Sequence, residues 1–223
     1  MSAPANRSAP VQAPVLAIDA STLRAAAALL GPDGSDWGTW QQPAGERGTA
    51  QLAPAVAELL AARQLAVADL AGVAVGVGPG SYTGLRSAIA FARALCWPSG
   101  LPLVGMPSVS SAAASLLATR PEVNTVITVV DARRGECYRA DYARAGERGM
   151  VETRAPCLVP ASEIEQLEPA DDLAVLTEPE PAVPFLARLA VARLATGGDD
   201  PATVLPLYLK RSHAEIALDE RGG

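Results

Sequence analysis

Apolar positions along the chain gather into short runs punctuated by glycine, proline and acids. Residues 15–19 make the first run, Val-Leu-Ala-Ile, and it ends in Asp19. Ala20, Ser21 and Thr22 read as a turn, and residues 24–30 return as a second strand, although their alanine content would also suit a helix. The Gly-Pro-Asp-Gly of residues 31–34 is a strong turn, followed by a third strand over 35–41 with Trp37 and Trp40. Leu52, Val56, Leu59, Leu60 and Arg63 fall on one helical face, with Glu58 off it. Pro54 is tolerable only in a first helical turn, which places that start near 49–52. Residues 72–77 form an apolar strand that runs into glycines 76, 78, 80 and 84. A helix follows, with Leu85, Ala88, Ile89, Ala92, Leu95 and Cys96 on its stripe and Arg86 and Arg93 off it. Thr83 is the expected N-cap. A strand over 101–106 and a helix over 108–118, with Val109, Ala112, Ala113, Leu116 and Leu117 inward, complete this half.

The same grammar then recurs. Residues 125–130 are apolar and end in Asp131, 132–135 turn, and 136–142 return with alternating polarity. Asp131 follows Asp19 by roughly half the chain length, which points to a duplicated unit. Beyond it come a strand over 153–159, a short helix with Ile164 and Leu167, and a strand over 173–176. A helix over 183–195 carries Phe185, Leu186, Leu189 and Leu194, and 203–209 is extended. The expected organisation is a disordered tail over 1–14, one half over 15–118, a second over 119–210 and a flexible tail over 211–223. The fold class is α/β, each half a mixed sheet flanked by helices.

Composition narrows the chemistry. A 49% hydrophobic content supports a real core, and with aromatics at 4% that core is built from Ala, Leu and Val. A net charge of −6 argues against strong autonomous binding to nucleic acid, which favours a basic face. Cys96, Cys137 and Cys157 lack C-x-x-C spacing and read as free thiols in a reducing compartment. His213 is the only histidine, so a metal pair or a Ser-His-Asp triad would depend on it alone. No run reaches the ~18 apolar residues of a membrane helix, and residues 1–14 lack the apolar core of a secretory signal. The expected location is the cytoplasm, without membrane contact.

The glycine turn deserves a chemical reading. Backbone N–H groups at a helix start can hold an anion, which makes Gly78, Gly80, Ser81, Thr83 and Gly84 candidate contacts. The turn is not a Walker A loop, because it has no lysine; the only lysine is Lys210. It is not a nucleophile elbow either, since Pro79 and Thr83 flank Ser81 where glycines are needed. The other reading is a packing device that lets backbone and helix approach closely.

Residues 78–86, Gly-Pro-Gly-Ser-Tyr-Thr-Gly-Leu-Arg, closely resemble the Gly-Pro-Gly-Ser-Phe-Thr-Gly-Leu-Arg signature of TsaB proteins. Those are the dimerization subunits of the bacterial tRNA threonylcarbamoyladenosine complex. The likeness continues at Ile18-Asp19-Ala20-Ser21, at 102–105, at Asp131-Ala132-Arg133-Arg134-Gly135-Glu136 and at Pro206-Leu207-Tyr208-Leu209-Lys210. It departs at Gly48-Thr49, where the family often has a histidine, and at Thr177-Glu178-Pro179, where many members have a glycine turn.

The resemblance implies duplicated actin-like (ribonuclease H-like) halves, in which Asp19 and Asp131 would be the turn acids that address phosphate in the superfamily's enzymes. The other reading of both acids is that each caps its own hairpin. The resemblance also implies a non-catalytic role, because the family's catalytic paralogue carries a His-x-x-x-His pair. The implied partners are that paralogue, a small ATPase, a second copy when the chain is alone, and tRNA only through the complex. No cofactor is expected, with ATP or ADP only at the complex interface. The family's contact is a bundle of the first two helices, which maps onto Leu52, Val56, Leu59, Arg63, Leu85, Arg86, Ile89 and Arg93. Two other classes stay open. An autonomous phosphotransferase or ATPase would use Asp19, Asp131 and the glycine turn. A peptidase would use Ser81 or Cys96, each of which needs a base that only His213 could supply.

Overall fold

The computed structural model describes residues 12–46, 48–146, 149–168 and 170–210. The tails expected over 1–14 and 211–223, and His213 with them, lie outside the described residues except for 12–14. The chain divides into two compact units. One takes the chain up to Ala112 and again Pro181–Pro206; the other takes Ala113–Glu180 and the chain from Leu207.

The first unit is built on five strands, β1 (Val15–Asp19), β2 (Ala26–Leu30), β3 (Asp36–Gln41), β4 (Gly72–Gly76) and β5 (Leu103–Met106). Their order is β3-β2-β1-β4-β5. β1 runs antiparallel to β2 and parallel to β4, and β4 runs parallel to β5. Every residue of β1, β2 and β4 is buried, as expected of strands covered on both faces. Alternation sends Leu16, Ile18, Val73 and Val75 to one face, where they pack with Leu52, Val56 and Leu60 of α1 (Leu52–Ala61) and Ala88, Ile89 and Ala92 of α2 (Tyr82–Cys96). Val15, Ala17, Ala74 and Val104 face the other way, against Val183, Leu186, Ala187 and Ala190 of α5 (Val183–Leu194). The alanines of β2 are therefore strand residues squeezed between two helical layers.

This placement of α5 corrects the expected boundaries. The helix lies within the half expected over 119–210, yet its apolar face closes the first sheet, so the halves do not divide cleanly at 118/119. The chain passes from the first unit to the second within α3 (Ser108–Thr119), returns at Pro181 and leaves again after Pro206.

The second unit has β6 (Thr125–Arg133), β7 (Glu136–Ala145), β8 (Gly149–Pro160) and β9 (Leu173–Thr177), in the order β8-β7-β6-β9. β6 pairs antiparallel with β7 and parallel with β9, and β7 pairs antiparallel with β8. That is the arrangement of β3-β2-β1-β4, so the duplication read from the two acids is present in the topology. Among the described residues the second sheet has no counterpart of β5.

Two expectations change here. β6 continues past Asp131, which pairs with Cys137 inside the ladder, and the reversal narrows to Arg134 and Gly135. Both have positive φ, 61° and 75°, as a two-residue type I′ hairpin requires. β8 is also longer than 153–159, because its polar N-terminal part is held by pairing with β7 rather than by burial.

α4 (Ala161–Glu165) is held against β7 and β8 by charge. The Arg139 guanidinium lies 2.8 Å from Asp141 and 2.9 Å from Glu163, and Glu163 accepts from Arg154 at 2.6 Å. Arg139 is buried, so removing its side chain leaves the little-exposed Asp141 with a 3.7 Å pairing to Arg154 in place of two close hydrogen bonds. Arg139→Ala should lower unfolding free energy by about 3 kcal/mol in urea denaturation. The hydrogen bond from Arg154, followed by the charges of Arg154 and Arg139, holds the Glu163 carboxyl below its ordinary 4.5 against an opposing desolvation. A depressed carboxyl stabilises the fold above its unfolded pKa and loses that contribution as pH falls through the folded one. The urea midpoint should therefore drop below pH 4.5, and drop less steeply in Glu163→Gln.

Candidate functional site

The glycine turn and the start of α2 are locked to the β1–β2 turn. Ser81, not Thr83, is the N-cap: its hydroxyl accepts from the Gly84 N–H at 3.2 Å, and Thr83 lies exposed inside the first turn. The Ser81 N–H in turn donates to the Ser21 carbonyl at 2.6 Å. Ser21 is fixed by Asp19, whose Oδ1 accepts from the Ser21 N–H at 2.7 Å and from its hydroxyl at 2.6 Å. This is an Asx turn, the hairpin-capping use of an aspartate. Asp19 is only 1% exposed.

The glycines are where the two turns touch. A Cβ on Gly84 would lie 2.0 Å from the Ala20 carbonyl oxygen, and one on Gly76 would lie 1.7 Å from Asp19 Oδ2. The exposed Gly80 meets Ser21 in the same way. Gly78 is buried and donates to the Ser108 hydroxyl at 3.1 Å, joining the end of β4 to the start of α3. The cradle that could hold an anion is thus largely occupied by residues 20–21 of the chain itself. What stays open is a cavity of about 170 Å³ reached by Thr22, Thr49, Ser81 and Thr83.

Asp131, in the second unit, also serves its own hairpin. Its carboxylate accepts from the Arg133 N–H at 2.7 Å and pairs with the Arg133 guanidinium at 3.0 Å. Unlike Asp19 it is exposed, and its backbone N–H donates to Glu178 at 2.5 Å.

The eight residues mapped as partner surface separate into three kinds. Leu52, Val56, Leu85 and Ile89 are core residues facing the first sheet, so their side chains are spent on the chain's own core. Leu59 is half-buried against the same core. Arg93 is a tether, with Nη2 donating to the carbonyls of Ala202 at 3.0 Å and Val204 at 2.5 Å. Arg63 and Arg86 are exposed; Arg63 lies over the Trp37 ring and Arg86 over Tyr82 at 5.1 and 5.2 Å. The outward face of α2 consists of Tyr82, Arg86, Ala90 and Ala94, with Trp97, 73% exposed, just beyond its end. Ala53, Pro54, Ala57, Glu58 and Ala61 form the outward face of α1. The i+4 series running from Tyr82 through Arg86 was visible in the sequence but lacked large apolar side chains to mark it.

Nucleophile chemistry finds little support in this geometry. Cys96 is buried and desolvation pushes its thiol up to about 11, the opposite of an activated cysteine. Among the described residues no three His, Cys, Asp or Glu side chains are grouped to hold a metal ion. Nor is any described helix long and apolar enough to cross a membrane.

Comparison with known proteins adds the family. A family model described as TsaD, tRNA N6-adenosine threonylcarbamoyltransferase, matches residues 42–176. An uncharacterized protein of Mycobacterium tuberculosis is 33% identical over 174 residues, covering 74% of this chain and 76% of that protein. The tRNA threonylcarbamoyladenosine biosynthesis protein TsaB of Escherichia coli is 34% identical over 130 residues, 58% of this chain and 55% of its own length. The Bacillus subtilis TsaB is 31% identical over 144 residues, 64% and 59%. The chain belongs to the TsaB family. The YeaZ structure from Pseudomonas aeruginosa shares the fold, with a TM-score of 0.76 at 22% identity over 88% of this chain and 100% of that one.

Two of the TsaB-like motifs meet in the second unit. Lys210 Nζ donates to the Ala132 carbonyl at 3.1 Å and to Glu136 at 2.6 Å, so the late Tyr-Leu-Lys segment fastens the Asp-Ala-Arg hairpin. Glu178 holds a left-handed φ of 49°, a conformation that glycine adopts at lower cost.

Gly84→Ala tests the lock. Alanine normally favours a helix over glycine by about 1 kcal/mol. Here the methyl meets a backbone oxygen, and the variant should instead lose about 2 kcal/mol, read as a lower thermal midpoint. A thiol reagent at pH 8 should label Cys137 and Cys157 in the native chain and spare Cys96 until unfolding.

Proposed function

We propose that this chain is a non-catalytic subunit in the biosynthesis of threonylcarbamoyladenosine on tRNA, docking a catalytic paralogue of its own fold and, through that assembly, a small ATPase. The observation that carries the reading is the closed turn. The acid in the place where actin-like enzymes address phosphate is 1% exposed and holds Ser21, while the neighbouring glycines receive the chain's own backbone. The single histidine adds to this, because one imidazole cannot supply the metal pair of the catalytic paralogue. No cofactor of its own is needed, and ATP or ADP is held only where the complex forms. The protein acts in the cytoplasm, self-associates when alone and reaches tRNA through its partners.

The docking surface in this proposal is the outward face of α1 and α2, not the stripe beneath it. Ala90 and Ala94 let a partner helix approach closely, Arg86 and Tyr82 supply polar contacts at one end, and Trp97 supplies a large apolar one at the other. Burying such a patch does not require any change in the core.

Calorimetry and gel filtration with the purified catalytic paralogue test the proposal. The wild-type chain should form a complex, and Ala94→Arg should weaken it by about a hundredfold while leaving the thermal midpoint nearly unchanged, because the substitution points into solvent. Mg-ATP added to the lone chain should give neither binding heat nor turnover. Absence of a complex between two folded proteins, or hydrolysis by the lone chain, would favour the phosphotransferase reading instead.

A further inference from the structure

Among the described residues the two sheets have four edges, and three are blunted. At β3, the Asp36 carboxylate takes the Gly38 N–H at 2.9 Å, and a register shift lies between Leu29 and Leu30 of the paired strand. At β5, Asp199 bridges to Leu103, and its carboxylate takes the Gly105 N–H at 3.0 Å. At β8, Pro156 interrupts the donors, and the β7–β8 ladder shifts register between Arg139 and Asp141 and again between Asp141 and Tyr142. Such devices keep a free edge from templating another strand.

The fourth edge, β9, has none of them. Its sequence is Leu-Ala-Val-Leu-Thr, without proline, charge or register shift against β6. The Asp172 carbonyl accepts from Thr125 and the Glu178 N–H donates to Val129, so even-numbered residues turn their backbone groups toward β6. Strand alternation then turns those of Val175 and Thr177 outward, where no strand of the described residues meets them. Val175 is 41% exposed. The first sheet shows what fits this position, because there β5 lies parallel beside β4.

Charge selects the occupant. Asp171 and Asp172 precede the strand, and Glu178 and Glu180 follow it, all of them exposed. Two copies paired antiparallel about Val175 would set Asp172 opposite Glu178, and like charges placed so are destabilising. A segment with basic residues at both ends meets the same acids favourably in either direction. The geometry points to β9 as a docking edge for an extended partner segment, apolar and β-branched at its centre and flanked by Lys or Arg, that completes the second sheet by strand addition. This goes beyond the proposed function and is independent of the α1–α2 face.

The test uses the full chain and a fluorescent peptide, Lys-Arg-Val-Thr-Val-Thr-Val-Arg-Lys, with a copy whose basic residues are replaced by Glu. The basic peptide should bind by anisotropy, and the Val175 and Thr177 amides should gain protection in hydrogen exchange while Leu176, already bonded to β6, does not. Val175→Pro removes an outward donor and leaves the β6 ladder intact, so binding should fall about tenfold. Asp171→Lys provides a second variant away from the ladder and should cost about threefold, less at high salt. Three results would overturn the inference: no added protection at Val175 and Thr177, equal binding of the Glu-flanked peptide, or a dimer of the chain that Val175→Pro abolishes, which would make a second copy the occupant.

Discussion

The first unit depends on how closely the backbone at Ala20 and Ser21 approaches the start of α2. The Ser21 carbonyl accepts from Ser81, the Ala20 carbonyl sits over Gly84, and Asp19 holds the turn from beneath. That contact fixes the end of β1 relative to α2, and α2 covers one face of the sheet. The Asp19 carboxylate is buried and spends Oδ1 on its own turn, and the glycine-rich signature serves as a structural joint between that turn and α2.

Duplication without symmetry is the second theme. Both sheets share one strand order, but the surroundings differ. The first sheet has helices on both faces and a fifth strand whose edge is covered by Asp199. The second relies more on long pairing in the β7–β8 hairpin and on the Arg139–Asp141–Glu163 ion cluster. Lys210 adds a further polar tie by binding the carbonyls at the hairpin tip. Apolar layers build the one unit, and hydrogen bonds and charge contribute a larger share to the other.

Much of this was legible from residue order. The acid-ended runs gave both hairpins, and β-branched Val73 and Val75 marked the central strand. Leu85, Ala88, Ile89 and Ala92 marked the buried side of α2. Periodicity marks the side that is apolar, though, and a helix that packs on its own sheet has the same stripe as one that packs on a partner. The family resemblance places Leu52, Val56, Leu85 and Ile89 on a partner surface, and their burial returns them to the chain's own core. The cap was ambiguous because Ser81 and Thr83 both carry hydroxyls; the bond from Ser81 N–H to Ser21, a contact across some sixty residues, decided it. Local patterning was equally silent about the destination of α5. Its apolar face was evident, but only the exposed flank of the first sheet, formed far earlier in the chain, explains where it packs.

That destination shapes how the protein is made. α5 ends at Leu194, while the strands it covers begin at Val15. A nascent chain carrying all five strands of the first sheet still lacks the lid for Ala17, Ala74 and Val104. Until the ribosome has delivered the late helix, this apolar flank stays uncovered, and the intervening unit has time to take shape first. Closing so long a loop slows folding, so the late helix sets when the first sheet gains its second covered face.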